Sequence, residues 1–363
     1  MLSPEYLDGV AEPLQAIYSE LESAIMADIA KRIAKANYTT NMAAWQLYKL
    51  QSIGASQEYI AQEIAKTLKI SEKEVYSLFG EAGIKSMQTD IATQKAAIEA
   101  GKLPKNAVPL TASAQVAQVL NANALRTQNT MQKLTGTIAL DASGKLNQYM
   151  DQCQLMVQSG AFTQDMAIDA TVRRFAADGV QAFDYASGVR TSVEAAVRRA
   201  CVTGINQATA KVSENNASEL QTNLVEVSSH ADARPEHAVW QGKVYSLEGS
   251  TDKYPNLVEA TGYGSGDGLC GWNCRHSFCP YVEGVSEKAP TEKYSKTTYK
   301  NEQIQRYNER QIRYWKKRES AIEAGGLDAS TEKAKVSAWQ ARQREHLKQT
   351  DLTRQYQREK VFT

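Results

Sequence analysis

From Leu7 to Ile33 an apolar side chain returns every third or fourth position: Leu7, Val10, Leu14, Ile17, Leu21, Ile25, Ile29 and Ile33. That spacing is one face of an α-helix. A stripe this long must be covered by other helices, so the first constraint on the fold is a layer of packed helices. Ser3-Pro4 supplies a cap and a proline at the first helical position, which predicts a helix over 5–36. Pro13 would kink it or split off a short first segment.

The helical pattern continues. Residues 40–53 read as a helix ended by Gly54. Ser56 opens another, with Ile60, Ile64 and Leu68 as its stripe. Ser71-Glu72-Lys73-Glu74 is a capping box that starts a third, short helix to Phe79. Two short helices across a turn have the outline of a DNA-reading motif. Its second helix, however, would carry Glu72, Glu74 and Glu81 against Lys73, and an acidic helix opposes phosphate. A helical hairpin packed on its neighbours is the simpler reading. Pro104 and Pro109 mark a loop near 101–112. Residues 186–211 read as a helix opening after Gly188, with Val189, Val193, Val197, Cys201 and Ile205 along one face.

The texture changes near 223. "LVEVSSH" and "KVYSL" are strand-like, and prolines, glycines and tryptophans become dense. From 290 charged helices return. One stops at Gly325-Gly326, and another is opened by Ser330. The expected fold is therefore mainly α with a small α+β module. An elongated helical N-terminal body spans 1–222, with a sub-boundary near 101–112. A compact, loop-rich module spans 223–285, and a charged helical C-terminal arm spans 286–363.

Charge is divided between these parts. The chain of 363 residues has a net charge of +1, but residues 286–363 carry 18 Lys/Arg against 11 Asp/Glu, leaving the rest acidic. A basic arm fits a polyanion or an acidic protein surface; it also fits a plain solvated helix face. The chain has no 18-residue apolar run, so no membrane span is expected. The first residues lack the basic and apolar segments of a secretory signal. Five cysteines match a reducing compartment, not a disulfide framework.

Three of those cysteines and three of the four histidines fall in the module, in two turns. The first turn holds His230, Arg234, His237 and Trp240. The second is "CGWNCRHSFC", with Cys270, Cys274, His276 and Cys279. Thiolate and imidazole ligands at short spacing in two turns are what a tetrahedral zinc site uses. The candidate ligands are His237, Cys270, Cys274 and His276, with His230 and Cys279 in reserve. Zinc would pin a module with little core of its own. The alternative is a hydrogen-bonded knot, in which the histidines bond backbone groups and the cysteines fill gaps near Trp240 and Trp272. "GYGSGDG" lacks the Lys and Ser/Thr of a phosphate loop, so its glycines are expected to supply turns with positive φ. A nucleophilic Cys274–His276 pair would need an orienting acid and an oxyanion hole, and neither can be assigned.

"SSHADARPEHAVWQGKVYSL" and "YPNLVEATGYGSGDGLCGWNCRHSFCPYVEG" together resemble the phage minor capsid protein 2 family, which is similar to the Mu F-like, portal-associated head morphogenesis proteins. The likeness extends to "AIMADIAKRIAK", "AWQLYKLQSIGAS", "SEKEVYSLFGEAGIKSM" and "YASGVRTSVEAAVRRACVTGINQATAK". It covers most of 5–284. In the wider group a Cys-x-x-Cys pair stands where this chain has Arg234 to His237, and a His-x-x-Cys-Arg-Cys run resembles Cys274-Arg275-His276. The resemblance thus implies zinc at His237, Cys274 and His276, with Arg234 a departure from the pattern. It also implies a non-enzymatic virion protein of a tailed phage or prophage, inside the capsid and, during assembly, in the host cytoplasm. Its expected partner is the phage portal protein. Packaged double-stranded DNA is a further candidate partner through the basic arm. The alternative function is a zinc- or cysteine-dependent enzyme, a toxin or processing activity, lodged in 223–285.

Overall fold

The computed structural model describes residues 1–184 and 188–362. Most of these residues are helical, and the strands are few and short. In chain order the elements are α1 (Pro4–Gly9), α2 (Glu12–Lys35), α3 (Met42–Glu99), α4 (Ala114–Gln158), α5 (Gln164–Asp178), β1 (Gln181–Phe183), β2 (Arg190–Ser192), α6 (Val193–Glu219), β3 (Leu224–Val227), β4 (Val244–Ser246), α7 (Leu257–Thr261), β5 (Phe278–Pro280), α8 (Lys296–Ala324) and α9 (Ser330–Lys348). The chain is mainly α with a small α+β module.

Ser3 caps α1 by accepting a hydrogen bond from the Tyr6 N–H at 3.2 Å, and the break before α2 falls beside Pro13. The three helices expected between 40 and 79 are instead one helix, α3, of 58 residues. Gly54 sits inside it, exposed, with helical φ. Ser56 and Ser71 are mid-helix as well. Ser56 donates its hydroxyl to Asp28 at 2.6 Å, and buried Ser71 donates to the Leu68 carbonyl at 3.1 Å. A glycine or a capping-type residue costs a helix about 1 kcal/mol, which a long packed face outweighs. With no turn there, the segment is neither a hairpin nor a helix-turn-helix. The helix expected after Gly188 starts later, at Val193, because Arg190–Ser192 first pairs with β1. Tyr185, Ala186 and Ser187 of that stretch lie outside the described residues. Ser330 is the first residue of α9; the cap position is Ala329, which supplies no side-chain bond, and Asp328 before it accepts from both the Ser330 N–H and its hydroxyl.

The contacts divide the chain into two compact units. One contains Met1–Leu14, Glu72–Thr130 and Arg198–Lys300. Its helices approach closely at glycines. A Cβ on Gly83 would lie 2.4 Å from Leu120, and one on Gly204 would lie 2.2 Å from Thr127. Met87, Leu110, Val116 and Val212 make one apolar cluster there. Gln94 closes the 100–113 connection, donating to the Val108 carbonyl and accepting from the Leu110 N–H. The same unit carries the antiparallel sheet β4-β3-β5. Val225, Val227, Trp240, Tyr245, Leu257, Leu269 and Phe278 pack beneath that sheet as the core of the module.

The other unit contains Gln15–Ser71, Met131–Val197 and the chain from Asn301 onward. Trp45 is buried against Tyr38, with ring centres 5.1 Å apart. Lys49 pairs with Asp151 at 2.8 Å. Lys317 of α8 reaches Glu22 of α2 at 2.8 Å and Glu194 of α6 at 3.6 Å, and Arg313 holds Glu194 at 2.9 Å. Burial alone would push the Glu194 carboxyl up, but Lys317 and Arg313 outweigh it and hold it below the ordinary range. Lys316 and Arg313 also bind the carbonyls of Glu359 and Arg358, which fixes the C-terminal segment onto α8.

Candidate metal centre

The centre is built on α6. Asn206 is fully buried, and its side-chain amide donates to the carbonyls of Cys274, at 3.0 Å, and His276, at 2.8 Å. Thr203 accepts from the Asn273 N–H, and Ser213 donates to the Phe278 carbonyl. Residues 203, 206 and 213 lie on one face of the helix, so a polar stripe of α6 holds the cysteine-rich turn by its backbone. Sequence reasoning missed this stripe. Its signal was legible as polar residues at helical spacing beside the apolar face of Val197, Cys201 and Ile205.

The turn itself is tightly folded. Cys270 and Asn273 have φ of 58° and 52°, uncommon for residues with a side chain. The glycines before and within it serve two purposes. Gly262 and Gly264 supply positive φ, as expected. Gly266, Gly268 and Gly271 instead permit close approach: a Cβ on Gly268 would lie 2.0 Å from the Gly262 carbonyl oxygen, and one on Gly266 would meet the Trp272 ring at 2.8 Å.

This folding brings His237, Cys274 and His276 together, with one donor atom from each within 4.8 Å of the others. The Cys274 Sγ is 3.8 Å from His237 Nδ1 and 3.7 Å from His276 Nδ1. A zinc ion bound by nitrogen and sulfur at ordinary lengths sets an N···S edge of roughly 3.6 Å. The other candidates fall outside that trio. Cys279 is on β5 opposite Glu226, and side chains alternate along a strand, so it points away from the face that Phe278 gives to the module core. Cys270 Sγ is directed at the His276 carbonyl, at 3.8 Å. His230 lies beside the trio, its ring centre 4.4 Å from that of His276.

The hydrogen bonds fix the tautomers. His237 Nε2 is 2.9 Å from the Asp267 carbonyl, which only accepts, so Nε2 carries the proton and Nδ1 keeps its lone pair. His276 Nε2 is 2.9 Å from Gln241 Oε1. That oxygen also accepts from the His230 backbone N–H at 3.0 Å, so it is the acceptor and His276 Nε2 the donor. Both Nδ1 lone pairs therefore face one thiol, whose single proton can satisfy only one of them. Such a buried, lone-pair-rich site suits a cation. Burial lowers the pKa of both imidazoles, keeping them neutral as ligands must be. Burial raises the Cys274 thiol, opposed by bonds from the His276 and Cys270 backbones and by Arg234 and Arg275. The donor set fits zinc. His237, Cys274 and His276 would hold it, and it would supply a structural cross-link between the two turns.

His237, Cys274 and His276 are only 2%, 1% and 1% exposed, so the donors face the interior and not a surface cleft.

Comparison with known proteins gives a consistent result. The family model described as phage minor capsid protein 2 matches residues 2–348. A "Structural protein" of Lactococcus phage LL-H is 29% identical over 345 residues, covering 88% of this chain and 90% of that protein. A "Structural protein" of Lactococcus phage mv4 is 40% identical over 116 residues, covering 30% of this chain and 93% of that protein. No solved structure matches the chain significantly.

Proposed function

The chain belongs to the phage minor capsid protein 2 family, and from that premise we propose that it is a structural component of a tailed-phage head, present in few copies and seated at the portal. The observation that carries this reading is the match along nearly the whole chain, 2–348, together with relatives described as phage structural proteins. Its place is the interior of the capsid in the virion, and the host cytoplasm during assembly. The centre supports a structural role in preference to a processing enzyme or toxin in 223–285. A catalytic zinc keeps an open position that substrate can reach, whereas here the donors are buried and two of them are held by backbone and amide groups. In this reading zinc on His237, Cys274 and His276 pins residues 223–285 as a module. No helix among the described residues is long and apolar enough to cross a membrane.

Capture on the portal protein of the same phage tests the proposal. Retention of the full chain at physiological salt is expected, and failure to co-purify from co-expressing cells would overturn the portal assignment. DNA is the second partner considered, and one observation favours it: Arg310, Lys335, Arg342 and Arg344 are exposed on α8 and α9, while Arg313 and Lys317 are engaged in internal ion pairs. A contact of this kind predicts sequence-independent affinity that falls steeply with salt and weakens when Arg310, Arg342 and Arg344 are changed to alanine.

A further inference from the structure

His230 is buried, and its Nε2 has no hydrogen-bond partner among the described residues. A buried polar atom left unpaired is destabilising and calls for an explanation. The rest of the side chain is carefully held. Its Nδ1 is 2.7 Å from the Asp232 carboxylate, and the other Asp232 oxygen is bound by Arg275. Arg275 in turn stands beside Asp8, which Arg198 of α6 binds at 2.7 Å. A carboxylate only accepts, so His230 Nδ1–H donates to it and the lone pair of the neutral ring is on Nε2. A ligating histidine is typically oriented by such a carboxylate on its far nitrogen. The His230 backbone is tied to the trio as well, since its N–H and His276 Nε2 share Gln241 Oε1.

We infer that His230 is the fourth ligand of the centre, completing a set of three imidazoles and one thiolate with His237, Cys274 and His276. This rests on the metal reading above and identifies the donor that reading leaves open. His230 Nε2 lies outside the group of donors mutually within 4.8 Å, so the assignment requires His230 and the trio to draw together when the metal binds. Cys270 is the competing donor. Both thiols lie in the apolar core of the module and 3.8 Å from the His276 carbonyl, so the feature that separates the two candidates is the unpartnered, buried Nε2 of His230 with a carboxylate on its far nitrogen. On binding, the metal takes the Cys274 sulfur lone pair and the thiol proton leaves to solvent.

Zinc-edge X-ray absorption of the full chain loaded with Zn²⁺ tests the assignment, because it counts sulfur and imidazole scatterers directly. One sulfur and three imidazoles are expected in the wild type, and the same in Cys270→Ala. In His230→Ala one imidazole is lost and zinc affinity falls more than tenfold, with the fold checked by circular dichroism. Two sulfurs in the wild type, falling to one in Cys270→Ala, would overturn the assignment in favour of Cys270. An unchanged imidazole count in a folded His230→Ala would overturn it too. Should His230→Ala fail to fold, the wild-type and Cys270→Ala counts still decide. A folded wild type that takes up no Zn²⁺ would end the metal reading altogether. The virion assignment would stand apart from that result, since portal capture tests it separately.

Discussion

Asn206 shows how much a single side chain can organise. One amide, fully buried on α6, serves the carbonyls of both Cys274 and His276. Asn206→Ala strands two buried acceptors and should cost the first unit about 2–3 kcal/mol. Urea unfolding followed by tryptophan fluorescence would measure it. A loss under 1 kcal/mol would mean that the turn holds itself. Gly268 makes a second residue-scale test. Ala there collides with the Gly262 carbonyl, so Gly268→Ala should destabilise more than Gly249→Ala, where φ is positive but no atom lies within 4 Å. At this scale the sequence was only partly legible. Cysteines and histidines announced a cluster, yet its membership was set by strand alternation, which turns Cys279 away, and by hydrogen bonds spanning 30 and 35 residues, which orient His237 and His276. Neither is visible in residue spacing.

The elements were legible where periodicity ran long and misread where local signals were taken as boundaries. Pro13 did break a helix, because it removes a donor and clashes with the preceding turn. Gly54 and Ser71 did not, because their penalties are small beside the packing of a 58-residue helix. That difference is measurable. Gly54 is exposed, helical and free of neighbours, so Gly54→Ala should stabilise by about 0.5–1 kcal/mol. A loss of stability would indicate a turn at that position. Short β1, β2 and β5 were missed, being three residues each; β4 is as short but sits in the longer strand-like run "KVYSL", which made it legible. The ion cluster between α2, α6 and α8 gives another element-scale prediction. Lys317→Met leaves Glu22 and Glu194 buried beside each other and should cost about 3–5 kcal/mol. Because Glu194 is held below the ordinary carboxylate value of 4.5, its folded form resists protonation. Its stabilising contribution is complete above that value and is lost as pH falls through the lowered one. Acid titration of Glu194→Gln should therefore show a shallower loss of stability below about pH 5 than the wild type.

For the whole molecule, the mainly α class and the small α+β module followed from the change in texture near 223, since helical periodicity and strand-and-glycine content differ over tens of residues. Allocation of the charged C-terminal segment was harder to foresee. Its sequence reads as a basic arm, but Arg313, Lys316 and Lys317 are engaged within their own unit, so a count of charges overstates what is offered to a partner. On the reading proposed above, the folded chain is an assembly part of the phage particle, and its buried donors lie within the first unit. The most direct test of that claim is quantitative mass spectrometry of purified virions of the phage that encodes it. The account predicts the full chain in mature particles, at a few copies for each portal ring. Its presence in infected cells but absence from purified particles would contradict the account.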